Sequence, residues 1–361
     1  MRAALLALLL PLCFGGAPAK PPALQATASA LSDGPYVLWE GRTARILELR
    51  EGDQLGERRV QAPVPLDLPG PFGGRLNLSG RAYPVAKDRF PDPGRILAIS
   101  DLHGRFDAAL ALLKAQKVVD GRLRWTFGKG HLVIVGDVFD RGPQVTECLW
   151  FLRALEEGAQ KAGGAVHFVL GNHEAMVMAG DLRYLHPRYG RPPQGLPSLP
   201  ELYGPASELG RWLRSRPVLL KLGPFLFVHG GISPALLQQG LDLQDINRLA
   251  RTTLGRPTRD LEGPAAFLLG EDGPFWYRGL VPGATRRDAD AGDLDQVLKT
   301  FGVKALVIGH TTLEAIAPLH GGRVYAIDAG FKEGRPGEAW IWEKGKAWRG
   351  TVEGRREPLA P

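Results

Sequence analysis

Short hydrophobic runs alternate with polar clusters along the middle of this sequence. Five runs are continuous and mostly aliphatic or aromatic, which is typical of buried strands. Apolar residues recur at helical spacing over Asp107–Val119 and Thr146–Ala162, so strands and helices alternate as in an α/β fold. Asp107 is a candidate N-cap of the first helix. The five runs are Arg95–Ser100, His131–Val135, Val166–Leu170, Phe225–Phe227 and Ala305–Ile308.

Strands near the carboxyl end of the chain indicate a second sheet. Val324–Ile327 and Ala339–Trp342 have strand-like composition, and no long helical pattern separates them from Ala305–Ile308. We therefore expect these three segments, together with Phe225–Val228, to form a second and more antiparallel sheet.

A polar cluster follows each of the five runs. Open α/β sheets bind ligands at the carboxyl ends of their strands, so we expect the clusters to meet at one edge. The clusters are DLHG (101–104), GDVFDRG (136–142), GNHE (171–174), VHGG (228–231) and GHT (309–311).

The residue types in these clusters suit two metal ions. Carboxylate, imidazole and amide oxygen are ligands of Mn, Fe or Zn, and one carboxylate can bridge two ions. Such a centre would attract a phosphate, and Arg141 would add to that attraction. The expected ligands are Asp101, His103 and Asp137 for one ion, and Asp137, Asn172, His229 and His310 for the other.

The order of these motifs resembles the calcineurin-like metallophosphoesterases over roughly Ile96 to Gly330. The DRG and GNHE forms match the phosphoprotein phosphatase branch. The strings GNHEAM, GDLRY, VHGGISP, GHT and IDAG are most similar to its Shewanella-like bacterial group. The resemblance implies an α/β fold in which two mixed sheets pack face to face with flanking helices.

The resemblance also implies catalytic roles. His173 would be the general acid to the leaving alcohol, and Asp140 would orient it. Arg141 would clamp the substrate phosphate, with Asn172 beside it. Arg278 is a candidate second clamp, although an arginine in GPFWYRG could instead stack on its aromatic neighbours.

Two acidic residues are expected to support the site without binding metal. Glu174 follows the presumed acid in GNHE, and Asp328 is predicted to be a turn residue after a strand.

Three functions are compatible with these residues. The first is a phosphomonoesterase of phosphoproteins or phosphopeptides, on tyrosine and/or serine and threonine, in which a metal-bridging hydroxide attacks phosphorus. The second is a phosphodiesterase or dinucleotide polyphosphate hydrolase, although many phosphodiesterase relatives end in GHxH where this chain has GHTT. The third is a silent phosphate-binding protein, which the complete set of ligands disfavours.

The beginning of the chain predicts export. Arg2 precedes the apolar run Ala3–Phe14, and Ala17-Pro18-Ala19 offers small residues for cleavage after Ala19. The run is too short to span a bilayer as a helix, so we expect a periplasmic or secreted protein without a stable membrane anchor.

The remaining chain predicts one large domain with additions. Residues 1–19 form the signal peptide, 20–90 a flexible leader and small β-hairpin extension, 91–350 the catalytic domain and 351–361 a tail. The hairpin is expected from Tyr36–Trp39 and Arg45–Leu49, and Asp181–Pro205 is a candidate substrate-shaping lid. Cys148 shares a helical face with Leu152 and should be buried and unreactive.

Charge does not indicate a nucleic-acid partner. The net charge is +7 and the pI about 9.5, but no basic run exceeds two consecutive residues. We expect a basic surface that attracts acidic substrates. The sequence leaves the oligomeric state open.

Overall fold

The computed structural model describes residues 32–50, 54–61, 65–285 and 288–360. The predicted signal peptide and the first part of the leader lie outside the described residues. Within the described ranges, no helix is both long enough and apolar enough to cross a membrane.

The strands divide into an N-terminal group and a core group. The N-terminal strands are β1 (Asp33–Glu40), β2 (Thr43–Arg50), β3 (Gln54–Gln61), β4 (Leu66–Pro69) and β5 (Arg75–Leu78). The core strands are β6 (Arg89–Phe90), β7 (Arg95–Ile99), β8 (His131–Val135), β9 (Ala165–Val169), β10 (Leu219–Leu222), β11 (Phe225–Val228), β12 (Ala305–Ile308), β13 (Ala317–Leu319), β14 (Val324–Ala326), β15 (Ala339–Glu343), β16 (Lys346–Gly350) and β17 (Arg356–Pro358).

Helices connect the core strands. They are α1 (Phe106–Ala115), α2 (Val145–Lys161), α3 (Asn172–Met178), α4 (Leu199–Leu202), α5 (Glu208–Arg214), α6 (Pro234–Gln238), α7 (Leu243–Thr253), α8 (Gly263–Leu268) and α9 (Ala291–Phe301). Short 3-10 turns occupy Pro187–Tyr189, Thr258–Asp260 and Phe331–Glu333. The prediction that Asp107 caps α1 was wrong, because the helix begins one residue earlier and Arg105 is its N-cap.

Two six-stranded sheets form the core. The first has the order β17-β16-β15-β7-β8-β9, and the second β13-β14-β12-β11-β10-β6. In the first, β7, β8 and β9 are parallel, and in the second, β11, β12 and β14 are parallel. Both sheets are mixed, since β15 is antiparallel to β7 and β10 is antiparallel to β11.

The two sheets pack face to face through alternate residues of their strands. Ile96, Ala98 and Val133 of the first sheet share a buried cluster with Phe227 of the second. The Trp340 ring of β15 lies 5.9 Å from the Phe227 ring. Intervening residues such as Leu97 belong to the larger cluster that includes the helices. The predicted fold class is therefore confirmed.

The prediction of the second sheet was wrong in two respects, the membership of one strand and the direction of the others. Ala339–Glu343 pairs with β7 in the first sheet, and the strands of the second sheet at Phe225–Val228, Ala305–Ile308 and Val324–Ala326 are parallel to one another. The reason is that α9 and the segment carrying β13 act as crossover connections, which return the chain to start each strand in the same direction.

The N-terminal strands form a small antiparallel sheet, β1-β2-β3, and a separate hairpin, β4-β5. The predicted hairpin at Tyr36–Trp39 and Arg45–Leu49 is confirmed, with β1 and β2 somewhat longer. Within the predicted extension, β6 pairs with β10 of the core. Cys148 is buried on α2, as expected.

Candidate metal centre and catalytic residues

The five polar clusters meet at one edge of the two sheets. The parallel strands β7, β8, β11 and β12 all end there, and α3 begins there after β9. Each predicted metal ligand is at most 3% exposed. The side chains that the structure brings together are Asp101, His103, Asp137, Asn172, His229 and His310.

The backbone around this site is unusual. Asp101, His103, Asp137 and His310 have φ values of +56°, +44°, +56° and +66°, and Asp140 and Arg141 are also in the left-handed region. Non-glycine residues in such conformations cost about 1–3 kcal/mol each and cluster at functional sites. The strained turns direct side chains from successive strand ends toward a common point.

Asp137 is shared by two groups of potential ligand atoms. His103 Nε2 lies 3.8 Å from Asp137 Oδ2 and 4.0 Å from Asp101 Oδ1. On the other side, His229 Nε2 lies 3.1 Å from Asp137 Oδ2 and 3.0 Å from Asn172 Oδ1. The carboxylate therefore occupies the position expected of a bridging ligand.

His310 joins the second group. Asp137, His229 and His310 each offer one ligand atom, and these three atoms lie within 4.8 Å of one another. His103, Asp137 and His173 form a second group whose ligand atoms meet the same limit, and His173 Nε2 lies 3.8 Å from Asp137 Oδ2. Distance alone thus permits His173 as a ligand as well as an acid.

Backbone carbonyls orient two of the imidazoles. His103 Nδ1 is 2.8 Å from the Phe139 carbonyl oxygen, and His229 Nδ1 is 2.8 Å from that of Val135. When Nδ1 donates to a carbonyl, Nε2 is left with a lone pair directed into the site, which is the usual arrangement of metal-binding histidines.

These residues fit divalent metal ions. Among the described residues, Asp101 Oδ1 and His310 Nε2 are buried without a hydrogen-bond partner. Buried polar atoms are rarely left unpaired, and an ion would satisfy both. A Cβ at Gly171 would lie 2.2 Å from Asp137 Oδ1, so any larger residue at this position would displace the carboxylate.

The electrostatics of the site also favour bound cations. Burial lowers the pKa of His103 to about 3 and that of His310 far below its usual value, which keeps both imidazoles neutral and able to bind metal. Burial opposes a charge on His229, yet the carboxylates of Asp137 and Asp101 raise its pKa to about 10. The carboxylates thus attract positive charge into the centre.

Glu174 and Asp328 support this arrangement from outside. Glu174 accepts hydrogen bonds from the backbone N–H groups of Gly171, Asp137 and Val138 at 2.7–3.0 Å, which holds the turns after β8 and β9 together. Asp328 accepts a hydrogen bond from Thr312 Oγ1 at 2.5 Å, next to the GHT cluster that follows β12. Both expectations from sequence agree with these contacts.

His173 is paired with Asp140. The distance from His173 Nδ1 to Asp140 Oδ2 is 2.5 Å, and both side chains are buried. Burial opposes the charged imidazole, but the carboxylates of Asp137 and Asp140 raise the pKa of His173 above its ordinary value. The ring is therefore held as a potential proton donor, with Nε2 facing Asp137.

Two arginines flank the centre. The exposed Arg141 places its guanidinium carbon 4.7 Å from the Tyr184 ring centroid. The half-buried Arg278 donates from Nη1 to the His310 carbonyl at 2.9 Å and to Thr311 Oγ1 at 3.2 Å. Burial lowers the pKa of Arg278, while the carboxylates of Asp101 and Asp137 oppose this shift.

Sequence reasoning did not single out Tyr184. Its ring lies 5.2 Å from the His173 ring, and its backbone carbonyl accepts from Arg141 N at 3.0 Å. The signals were the GDLRY string and the candidate lid Asp181–Pro205 that contains it, and neither indicated where this side chain lies.

A cavity of about 460 Å³ opens beside the metal centre. Asn172, Met176 and Trp276 line it, together with Arg183 and Arg259. The cavity has the dimensions of a small-ligand or side-chain pocket.

Comparisons with known proteins agree with this geometry. The calcineurin-like phosphoesterase family matches residues 94–313. Shewanella-like protein phosphatase 2 of Arabidopsis thaliana is 28% identical over 297 residues, which cover 69% of this chain and 74% of that protein. A symmetrical bis(5'-nucleosyl)-tetraphosphatase of Neisseria meningitidis is 32% identical over 143 residues, or 38% of this chain and 43% of that protein.

Among solved structures, the cold-active protein-tyrosine phosphatase of a psychrophilic Shewanella species is 35% identical. It has a TM-score of 0.82, and the match covers 91% of this chain and 99% of that one. The buried cluster of carboxylates, imidazoles and amide oxygen is thus a candidate metal centre, and the chain is a metal-dependent phosphoester hydrolase that belongs to the calcineurin-like phosphoesterase family.

Proposed function

We propose that the protein is a phosphomonoesterase that hydrolyses phosphoprotein or phosphopeptide esters with two metal ions. The observation that carries this proposal is the buried His173–Asp140 pair, 2.5 Å apart, beside the shared carboxylate of Asp137. The pair supplies a proton donor next to a phosphate site, and Arg141 and Arg278 flank that site.

Two groups of side chains would hold the ions. When bound, the ions would activate a water molecule and neutralise charge on the phosphate. Asp137 is the shared ligand, and its carboxylate also accepts from His173 N at 3.0 Å, which fixes it relative to α3. The first ion is assigned to Asp101, His103 and Asp137, and the second to Asp137, Asn172, His229 and His310.

The protein's own side chains then bind the phosphate and move a proton. Arg141 and Arg278 contact phosphate oxygens, for which the planar guanidinium is well suited. Asp140 accepts the Nδ1 proton of His173, so Nε2–H of the charged ring can donate to the leaving alcohol oxygen. The carboxylates of Asp137 and Asp140 raise the pKa of His173 above its ordinary value, which favours the protonated ring.

In the proposed reaction, the leaving group is the hydroxyl-bearing side chain of the substrate protein or peptide. The 460 Å³ cavity beside Asn172 and Trp276 can receive such a group, and its partly apolar wall suits an aromatic ring. The name of the Shewanella structure, a protein-tyrosine phosphatase, supports phosphotyrosine among the possible residues. The Neisseria relative is a bis(5'-nucleosyl)-tetraphosphatase, so a dinucleotide polyphosphate is the alternative substrate to be tested.

The test is His173→Asn, assayed with phosphoserine peptide and with nitrophenyl phosphate. The serine alkoxide is very basic and needs the proton, so we expect turnover of the peptide to fall about 10²–10⁴-fold. Nitrophenolate is a much weaker base, so its release should lose clearly less. Both metals should remain, as measured by elemental analysis.

Arg141→Ala is the matched comparison. It removes a phosphate contact and not a proton donor, so it should raise KM and lower kcat on both esters alike. Equal losses on the two esters for His173→Asn, with metals retained, would contradict the general-acid role. Faster turnover of a dinucleotide polyphosphate than of phosphotyrosyl and phosphoseryl peptides would favour the alternative substrate.

A further inference from the structure

Tyr184 lies between the two groups that the proposed reaction uses. Its ring centroid is 5.2 Å from that of His173, with the planes tilted by 45°. On the other side, the guanidinium carbon of Arg141 lies 4.7 Å from the same ring. Tyr184 is 38% exposed, so it borders the open part of the site.

The backbone joins Tyr184 to Arg141 a second time. Arg141 N donates to the Tyr184 carbonyl at 3.0 Å. Arg141 has a φ of +63°, a conformation that a non-glycine residue keeps only when its surroundings hold it there. The residue that carries the guanidinium is therefore positioned through both its main chain and its side chain.

The rest of the segment from 181 to 190 is anchored against the same turn. Tyr189 Oη donates to the Pro143 carbonyl at 2.8 Å and accepts from Val145 N at 3.2 Å. Arg188 Nη1 also donates to the Pro143 carbonyl. The part of the predicted lid that follows Tyr184 in sequence is thus fixed to the turn after Arg141.

The contacts indicate what the ring contributes. An exposed arginine side chain has many rotamers, and only a few of them place its planar donors on a phosphate. The face of an aromatic ring attracts a guanidinium, so it restricts that choice before substrate arrives. The same ring packs against the imidazole whose other edge is held by Asp140.

We propose that Tyr184 is a positioning residue, which holds Arg141 ready for the dianionic phosphate and sets the clamp in register with His173. This inference rests on the proposed function, in which Arg141 binds phosphate. The aromatic face is the property required, and the hydroxyl is dispensable.

The experiment compares Tyr184→Leu and Tyr184→Phe on nitrophenyl phosphate and on a phosphotyrosyl peptide. Leucine fills much of the volume but has no ring, so we expect KM to rise about two- to fivefold, the range of an exposed cation–π contact, with a smaller change in kcat. Phenylalanine keeps the ring and should stay within about twofold of the wild type on both substrates. Metal content and circular dichroism establish that each variant folds.

Leu182→Ala is the control on the same segment. Leu182 is 36% exposed and lines a different cavity, formed with Tyr36 and Leu199, so its loss should leave KM unchanged. A rise in KM with Leu182→Ala equal to that with Tyr184→Leu would mean that any loosening of the segment suffices, and would overturn the specific role of the ring.

A double-mutant cycle with Arg141→Ala separates the two proposals. If Tyr184 acts through Arg141, Tyr184→Leu should have no further effect on KM once the guanidinium is gone. An undiminished effect in that background would refute the inference and leave the phosphatase proposal intact. If Arg141→Ala itself leaves KM and kcat unchanged, the phosphate-clamp role fails, and the positioning role of Tyr184 fails with it.

Discussion

At Asp137 a single carboxylate lies between the two groups of candidate metal ligands. Its Oδ2 lies within 3.8 Å of His103 and 3.1 Å of His229, and its Oδ1 accepts from His173 N. Although burial opposes ionisation, the neighbouring His229 and His173 hold the pKa of Asp137 well below its usual value. The residue therefore carries the negative charge that a bridging ligand needs.

The substitution Asp137→Asn tests this role. Asparagine has nearly the same shape but no charge, so metal content and turnover should fall together. The loss of affinity should be at least as large as the about 10–100-fold that follows removal of a group supporting a ligand. Elemental analysis after dialysis gives metal per chain, and nitrophenyl phosphate gives activity.

Asp67→Asn is the control for this experiment. Asp67 is exposed on β4 and pairs with Arg75, so its loss should leave metal content and turnover unchanged. Two metals per chain in Asp137→Asn would contradict the assignment of the bridging ligand.

At the scale of elements, a histidine at the start of β8 meets one in the middle of the neighbouring strand β9. His167 Nε2 lies 3.0 Å from His131 Nδ1, and the Phe90 ring packs on both. Burial lowers the pKa of His131, and burial with the neighbouring His131 lowers the pKa of His167 far below its usual value. Neither ring takes up a proton easily while the sheet is folded.

This pair should make folding stability depend on pH. Below a pH of about 6.5, histidines in the unfolded chain bind protons that the folded pair does not, so stability falls as the pH decreases. His167→Phe removes one such group. Between pH 7.5 and 5.5, urea unfolding of the metal-loaded variant should therefore lose about 1 kcal/mol less than that of the wild type. Parallel pH dependence in the two proteins would contradict this.

The elements also show how far sequence reasoning could reach. The strands β7, β8, β9, β11 and β12 were located to within one residue at each end, because continuous apolar runs report burial on both faces. The exposed strand β3 has the sequence QLGERRVQ, which carries no such signal, and it was missed. An apolar run also does not show which strand it pairs with, so β15 was predicted in the wrong sheet.

The same distinction applies to the site. The candidate metal ligands follow strands directly, so their motifs could be recognised and their meeting point inferred. Tyr184 reaches the site because the segment after α3 folds back onto the Arg141 turn, through contacts distant in sequence. Local patterns do not encode such a return.

At the scale of the whole molecule, the N-terminal sheet and the core share buried hydrogen bonds. Trp39 Nε1 on β1 donates to Glu208 Oε2 of α5 at 2.6 Å, and Tyr83 Oη donates to Glu208 Oε1 at 2.5 Å. Arg153 Nε on α2 donates in turn to Tyr83 Oη at 2.7 Å. Trp150 Nε1 further donates to the Pro35 carbonyl at 2.9 Å. The extension is therefore bonded to two helices of the core.

Glu208→Ala should consequently destabilise the extension and the core together. The substitution leaves the Trp39 and Tyr83 donors without their shared acceptor, and an unpaired buried donor such as Trp39 Nε1 costs about 1–3 kcal/mol. Because these groups link β1 to α2 and α5, we expect one thermal transition at a lower Tm.

Glu57→Ala is the matched control. Glu57 lies on the outer strand β3 and forms surface ion pairs with Arg45 and Arg59, so the Tm of this variant should stay close to that of the wild type. Differential scanning calorimetry of the metal-loaded proteins makes the comparison. A Tm equal to that of Glu57→Ala would show that Glu208 does not couple the extension to the core. Two separate transitions in Glu208→Ala would contradict the single transition and show that the two parts unfold independently once this residue is lost.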